Sequence, residues 1–376
     1  MSDDVADDGR VLEDHGIVIA ITRYPKLSRA SPGDADLHGL EAAKAVQAWL
    51  VDHGGVKREN IRLIVRAVRD PETSDADPNL SAVMKAFSDL YDLCWDENGQ
   101  PIIPFGRRLY VYISGHGFAI DDDDGAVFCS EASSRAPWGV AAIKVLTAFR
   151  RGNIFKQFVL WVDACMDWEG VEPVQLSFRT VTDTREPPGP LFKAYAARPR
   201  LKTVEAAPNE NGDVYGVFTR TLLDGLNGMA ANPNGEITGE LLKDYLYNTM
   251  AKHIPPEHTD RKDVDKQPFI RVDPGIVFAH IGQQPVTEIV LQFEIGCDGA
   301  QARIWGRDQN SSRVAILRKE TITNGRVAVR LPTGIYAVDV PDHGLRIGIE
   351  VTGNRASKIA AADASATQAT AAEAAA

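Results

Sequence analysis

The chain of 376 residues is long enough for a full-sized core plus a second module. Hydrophobic residues at 44% and charged residues at 25% are the proportions of a soluble globular protein. A net charge of −11 and a pI near 5.3 argue against direct binding of nucleic acid or of an anionic membrane. No apolar run approaches membrane-spanning length, and "MSDDVADDGR" has neither the basic start nor the apolar stretch of a secretory signal. The expected location is cytoplasmic.

Residues 1–14 are acidic and without periodicity, which predicts a disordered arm. "GIVIAIT" is the first apolar strand. "DADLHGLEAAKAVQAWLVDHGG" follows with helical spacing and ends on paired glycines. "NIRLIVR" is the second strand, "PNLSAVMKAFSDLYDLCW" the second helix and "RRLYVYISGHG" the third strand. "WGVAAIKVLTAFRR" reads as a helix and "KQFVLWVDAC" as a fourth buried strand. Strands apolar throughout, alternating with helices, predict a parallel sheet covered on both faces. A Pro- and Thr-rich loop follows Asp167, then a fifth strand "LFKAYAARP", two helices, and "QPFIRVD" to close the sheet. The fold class is therefore α/β, with a mostly parallel six-stranded sheet over residues 15–283. From 284 to 353, short alternating strands separated by turn residues predict a small all-β, sandwich-like module. The alanine-rich tail, 354–376, is low in complexity and is expected to be disordered.

In parallel α/β sheets, functional groups gather outside the carboxyl ends of the strands. Two strands end on chemically capable residues: "ISGHG" on His116 and "VDAC" on Cys165. The glycines beside His116 permit a sharp turn and a close approach. A thiolate can attack a peptide carbonyl while a neighbouring imidazole takes the thiol proton and returns it to the leaving amine. The amides of Gly117 and Cys165 are natural oxyanion donors. The other three cysteines (Cys94, Cys129 and Cys297) lie at no parallel-strand terminus and read as structural. None of the four has disulfide-framework or metal-ligand spacing.

The pair is separated by 49 positions, close to the roughly 50-residue offset of caspase-type proteases. At "YISGHG" and "VDAC" the chain resembles the caspase-like cysteine proteases, and within them the metacaspase and bacterial caspase-like branch. "AYAARPRLKTVE" is similar to that family's fifth strand and following turn, and "YGVFTRTLLDGL" to its Gly-x-Phe-Thr helix entrance. The resemblance covers roughly residues 15–275 in order. It implies a thiol endopeptidase with His116 as acid/base and Cys165 as nucleophile. "DACMDWEG" lacks the Ser-Gly that usually follows the metacaspase cysteine, and the Gln-Ala-Cys-x-Gly of animal caspases is also absent. Ser114 and Asp163 match the positions at which metacaspases line the pocket for the side chain before the scissile bond. A buried carboxylate there favours Arg or Lys. Asp36, after the first strand, is a candidate second carboxylate. Arg23 and Arg29 lie nearby without the Arg-Gly pattern of an aspartate-specific caspase.

No cofactor is expected. The run Asp121–Asp124 reads as a solvated loop, with calcium binding and activation as the sharper alternative. The expected partners are a protein substrate and a regulatory protein, and the resemblance alone suggests a role in bacterial defence or cell death. Two other readings stand beside the protease: a catalytically idle scaffold that binds a partner through its sheet or β module, and a small-acyl hydrolase using Cys165.

Overall fold

The computed structural model describes residues 5–6, 9–27, 37–65, 78–166, 187–209, 212–232, 234–281, 287–293, 295–307, 314–331, 334–352 and 355–359. Six strands form the central sheet: β1 (His15–Ala20), β2 (Ile61–Ile64), β3 (Gly106–Ser114), β4 (Phe155–Asp163), β5 (Leu191–Tyr195) and β6 (Phe269–Val272). Their order is β6-β5-β4-β3-β1-β2, all parallel except β6, which runs antiparallel to β5. Burial on both faces explains the unbroken apolar runs: nearly every residue of β1, β3 and β4 is buried. This is the mostly parallel six-stranded α/β sheet that the strand and helix alternation predicts.

Helices cover both faces. On one side α2 (Leu80–Leu93) and α3 (Ala142–Arg151) send Val83, Phe87, Leu90, Leu146 and Phe149 against Ile17, Ile19, Val111, Ile113 and Leu160. α2 begins where Asn79 accepts a hydrogen bond from the Ala82 amide at 2.9 Å. On the other side lie α1 (Gly39–Asp52), α4 (Val217–Asp224) and α5 (Gly239–Thr249). There Trp49 of α1 meets Trp161 of β4 edge to face at 6.1 Å, and Tyr112 of β3 bonds Thr219 of α4. The sequence reading missed one element: strands 117–119, 125–128 and 139–140 form a small antiparallel sheet directly after β3.

The predicted arm stops earlier than residue 14. Leu12 and Asp14 are buried, and Asp14 accepts two hydrogen bonds from the Arg107 guanidinium. His15 sits between Phe105 and Phe155 with its Nδ1 unpartnered. Burial pushes this imidazole down to about 4 from its ordinary 6.5, with Arg62 acting in the same direction. As pH falls from 6.5 towards 4 the unfolded chain gains a proton that the folded chain refuses, so stability is lost across that window. The full difference is about 3 kcal/mol. Urea titrations at pH 7.5 and 4.5 should show a loss of that order relative to His15→Phe. An equal pH dependence in both proteins contradicts this reading of His15.

By its contacts the chain divides into two compact units, 1–226 with 238–279, and 227–237 with 280–376. The boundary expected at 283 thus lies near 279, and residues 227–237 go with the second unit. That unit is all-β over its described residues. β7 (Thr287–Gln292) pairs antiparallel with β10 (Arg326–Leu331). β8 (Gln301–Arg307), β9 (Val314–Thr321), β11 (Gly334–Val340), β12 (Leu345–Thr352) and β13 (Arg355–Ile359) form a second antiparallel sheet in the order β9-β8-β11-β12-β13. One core joins both sheets, built from Ile289, Ala302, Ile304, Val327, Val329, Val338 and Val351. β13 takes residues that the sequence reading assigned to the tail; 360–376 lie outside the described residues. On the α2/α3 face the core of the central sheet is built of first-unit residues. A chain cut after residue 283 should therefore remain soluble and keep any activity on short peptides. Aggregation of that fragment would make the β module part of the catalytic fold.

Candidate active site

β3 and β4 are adjacent, parallel and in register, with Ser114 paired to Asp163 at their carboxyl ends. His116 and Cys165 each lie two residues further on, so the sheet brings the two strand ends together. The Gly115 amide donates to the Asp163 carbonyl at 3.2 Å, continuing the ladder one residue beyond the strands. Gly117 then packs against the Cys165 turn: a Cβ there would stand 2.6 Å from the Cys165 carbonyl oxygen and 2.8 Å from Ala164 Cβ. Only glycine allows this approach. A Cβ on Gly115 would likewise collide with the Tyr24 hydroxyl, which explains the need for glycine on both sides of the histidine.

Tyr24 holds the His116 loop. Its ring lies 4.8 Å from the imidazole, centroid to centroid, and its hydroxyl accepts the His116 amide at 2.9 Å while donating to the Phe128 carbonyl at 3.2 Å. Tyr24 is fully buried. The Phe128 amide donates to the His116 carbonyl at 2.8 Å, and Gly117 is paired with Val127. That combination makes Gly117–Val127 a non-hydrogen-bonded pair, so the Gly117 amide points away from its partner strand.

Of the four cysteines, Cys165 alone is not fully buried. Its Sγ donates to the Thr203 carbonyl oxygen at 3.5 Å, and the next residue, Met166, is bonded through its backbone to Leu201 and Arg200. Segment 200–205 therefore straps the turn that carries Cys165. Burial pushes the thiols of Cys94 and Cys129 up to about 12, so both stay protonated and unreactive at neutral pH. Arg261 is held above its ordinary range first by its hydrogen bonds to Asp263, and the Cys165 charge acts in the same direction.

Beneath these residues the polar side chains of Ser114 and Asp163 lie side by side at the paired strand ends. Ser114 Oγ is buried without a hydrogen-bond partner. Asp163 is buried at the N-terminus of α4, where its Oδ2 accepts from the Thr219 hydroxyl and, at 3.3 Å, from the Thr219 amide. The other oxygen, Oδ1, makes no hydrogen bond. Burial pushes the Asp163 carboxyl up to about 6 against the lowering effect of Thr219, and the Glu205 charge adds to the rise. The backbone at Gly39 and Gly216 packs directly against these two side chains: a Cβ at 39 would stand 2.8 Å from Ser114 Oγ, and one at 216 would run into the Asp163 carboxylate. Asp36 and Arg29 lie outside the described residues. Tyr24, Thr219 and Glu205 were not singled out by the sequence, because each meets the site across a long separation.

The Asp121–Asp124 run is a turn whose charges are largely engaged. Asp121 Oδ1 accepts the amides of Asp123 and Asp124. Asp124 is paired with the buried Lys193, and Asp123 accepts from Arg271 at 2.6 Å. Among the described residues, no group of three or more His, Cys, Asp or Glu is arranged to hold a metal ion, and no helix is long and apolar enough to cross a membrane.

No protein-family model and no curated protein matches the chain. Among solved structures it is similar to caspase-1 from Spodoptera frugiperda, with a TM-score of 0.44 and 11% identity, covering 69% of this chain and 86% of that one. It is also similar to a Geobacter sulfurreducens protein, with a TM-score of 0.39 and 11% identity, covering 70% of this chain and 95% of that one.

Proposed function

We propose that the protein is a caspase-like cysteine endopeptidase in which His116 and Cys165 form the catalytic dyad and Ser114 and Asp163 receive an Arg or Lys side chain. The observation that supports this reading is the in-register end of the adjacent, parallel strands β3 and β4, two residues beyond which come His116, whose ring packs on Tyr24, and Cys165, the one cysteine of four that is not fully buried. His116 takes the Cys165 proton, the thiolate attacks the peptide carbonyl, and His116 protonates the departing amine. The outward-facing Gly117 amide donates to the oxyanion. Water then hydrolyses the thioester with His116 as base. The chain's own residues suffice for these steps, and calcium is given no part in them.

The Asp163 side chain also caps α4, a structural duty. The carboxylate nevertheless keeps Oδ1 without a hydrogen bond beside the unpartnered Ser114 hydroxyl, and burial there disfavours its ionised form. A guanidinium reaching this pair would satisfy both groups at once. A defence or cell-death role, with a regulatory protein partner acting through the β module, is the biological setting the sequence resemblance suggests. The test is cleavage of a peptide library by the purified protein: cuts after Arg or Lys support the reading, and cuts after Asp overturn the assigned pocket.

A further inference from the structure

The pocket proposed above for a basic side chain has one carboxylate, Asp163. We propose that Glu205 is its second carboxylate, standing at the rim above Asp163, so that a basic side chain is gripped from both ends of the pocket. The inference deepens the endopeptidase reading and rests on it for the identity of the ligand.

The geometry comes from a short antiparallel pairing. Glu205 is bridged to Gly216, with the Val217 amide donating to the Val204 carbonyl and the Ala206 amide to the Tyr215 carbonyl, both at short range (2.9 and 2.8 Å). Glu205 and Gly216 are thus a non-hydrogen-bonded pair, the kind in which side chains lie closest and share one face. The face is identified by Gly216, whose Cβ direction points straight into the Asp163 carboxylate. Glu205 therefore leaves its strand on the Asp163 side, and the absent side chain at 216 lets the Asp163 carboxylate pack directly against this pairing. The influence of the Glu205 charge on Asp163 agrees with that placement.

The opposite wall holds Glu205 in position. The His38 amide donates to Glu205 Oε1 at 2.8 Å, and His38 Nδ1 lies 2.9 Å from Oε2. The next residue, Gly39, is the one packed against Ser114 Oγ. His38, Gly39, Ser114, Asp163, Glu205 and Gly216 therefore form one cluster, drawn from five separate stretches of chain. Asp36, the second carboxylate expected from the sequence, is two residues from His38; Glu205 fills that role from the far side of the molecule's sequence. An acidic rim and floor would attract Arg or Lys and repel Asp or Glu.

The test uses the full-length protein and its Glu205→Gln and Glu205→Arg variants. The readouts are peptide cleavage after Arg, alkylation of Cys165 by iodoacetamide, and benzamidine binding by calorimetry. Loss of one charge-assisted contact at a half-exposed rim should raise KM for the Arg peptide and the benzamidine Kd by about tenfold in Glu205→Gln. Glu205→Arg should weaken both further, while alkylation proceeds at the unmutated rate in either variant. Unchanged KM and Kd in Glu205→Gln would overturn the rim assignment while leaving the peptidase standing. Glu205-dependent binding of benzamidine by a protein that cleaves no peptide would keep the pocket and remove the peptidase. Absence of benzamidine binding to the unmutated protein counts against the pocket itself.

Discussion

Cys165→Ala is expected to reduce peptide hydrolysis by roughly three orders of magnitude or more, because removing the nucleophile eliminates the covalent route altogether. The same change should leave the fold intact. Cys165 is only half-buried just beyond the end of β4, and its sulfur donates to the Thr203 carbonyl at 3.5 Å. A small-for-small exchange there should move Tm by no more than about 2–4 °C. His116→Ala should lose hydrolysis to a comparable extent and also slow alkylation of Cys165 near neutral pH, since the imidazolium stabilises the thiolate. Substantial cleavage by the purified Cys165→Ala protein would place the chemistry elsewhere.

The second large effect belongs to Asp163, where function and stability should move in opposite directions. Its carboxyl titrates near 6 in the folded protein, chiefly through burial, against 3.8 as its ordinary value. Below pH 4 both states are protonated and there is no penalty. As pH rises from 4 to 6 the unfolded chain gives up its proton first, so stability is lost, and above pH 6 the full penalty of about 3 kcal/mol applies. Asp163→Asn keeps the shape, accepts the Thr219 hydrogen bonds through its carbonyl and removes the buried charge. It should raise Tm at pH 7.5 and leave it nearly unchanged at pH 4. Cleavage after Arg and Lys should fall by at least about 100-fold while alkylation of Cys165 persists, because the pocket loses its anion and the nucleophile is untouched. A variant that is less stable at pH 7.5 and still cleaves after Arg would make Asp163 a helix cap and nothing more.

Much of this architecture is legible in the sequence for a simple reason. Strands buried on both faces read as unbroken apolar runs, and "RRLYVYIS" and "KQFVLWVD" end abruptly at glycine or small residues carrying His116 and Cys165 just beyond. Parallel topology then puts such ends on one edge of the sheet. What periodicity cannot reveal is which distant residue closes over that edge. Tyr24 reaches His116 across 92 positions, Thr219 reaches Asp163 across 56, and Glu205 reaches His38 across 167. Each is an ordinary residue in its own stretch, and its role exists only in the folded arrangement. The short strands after His116 escape notice because "GFAIDDDDGAVF" is dominated by its acidic turn. Residues 227–237 follow directly on the helix read in "GVFTRTLLDGLNG" and yet group with the second unit, a choice set by tertiary contacts. The Asp121–Asp124 run carries the opposite lesson: a charge cluster that suggests a cation site is largely engaged by Lys193 and Arg271.

The central claim is that one thiol of four is an activated nucleophile served by a pocket for a basic side chain. Its most direct test is active-site titration with an arginyl peptide carrying a thiol-reactive ketone, read by intact mass and peptide mapping. One equivalent should be incorporated, on Cys165, with labelling suppressed in His116→Ala and slowed by competing benzamidine. Cys94 and Cys129, whose thiols burial holds near 12, should stay unlabelled. Failure of the peptide reagent to label Cys165 while iodoacetamide still alkylates it would contradict the claim, for the thiol would then be accessible and the pocket and dyad would not be working.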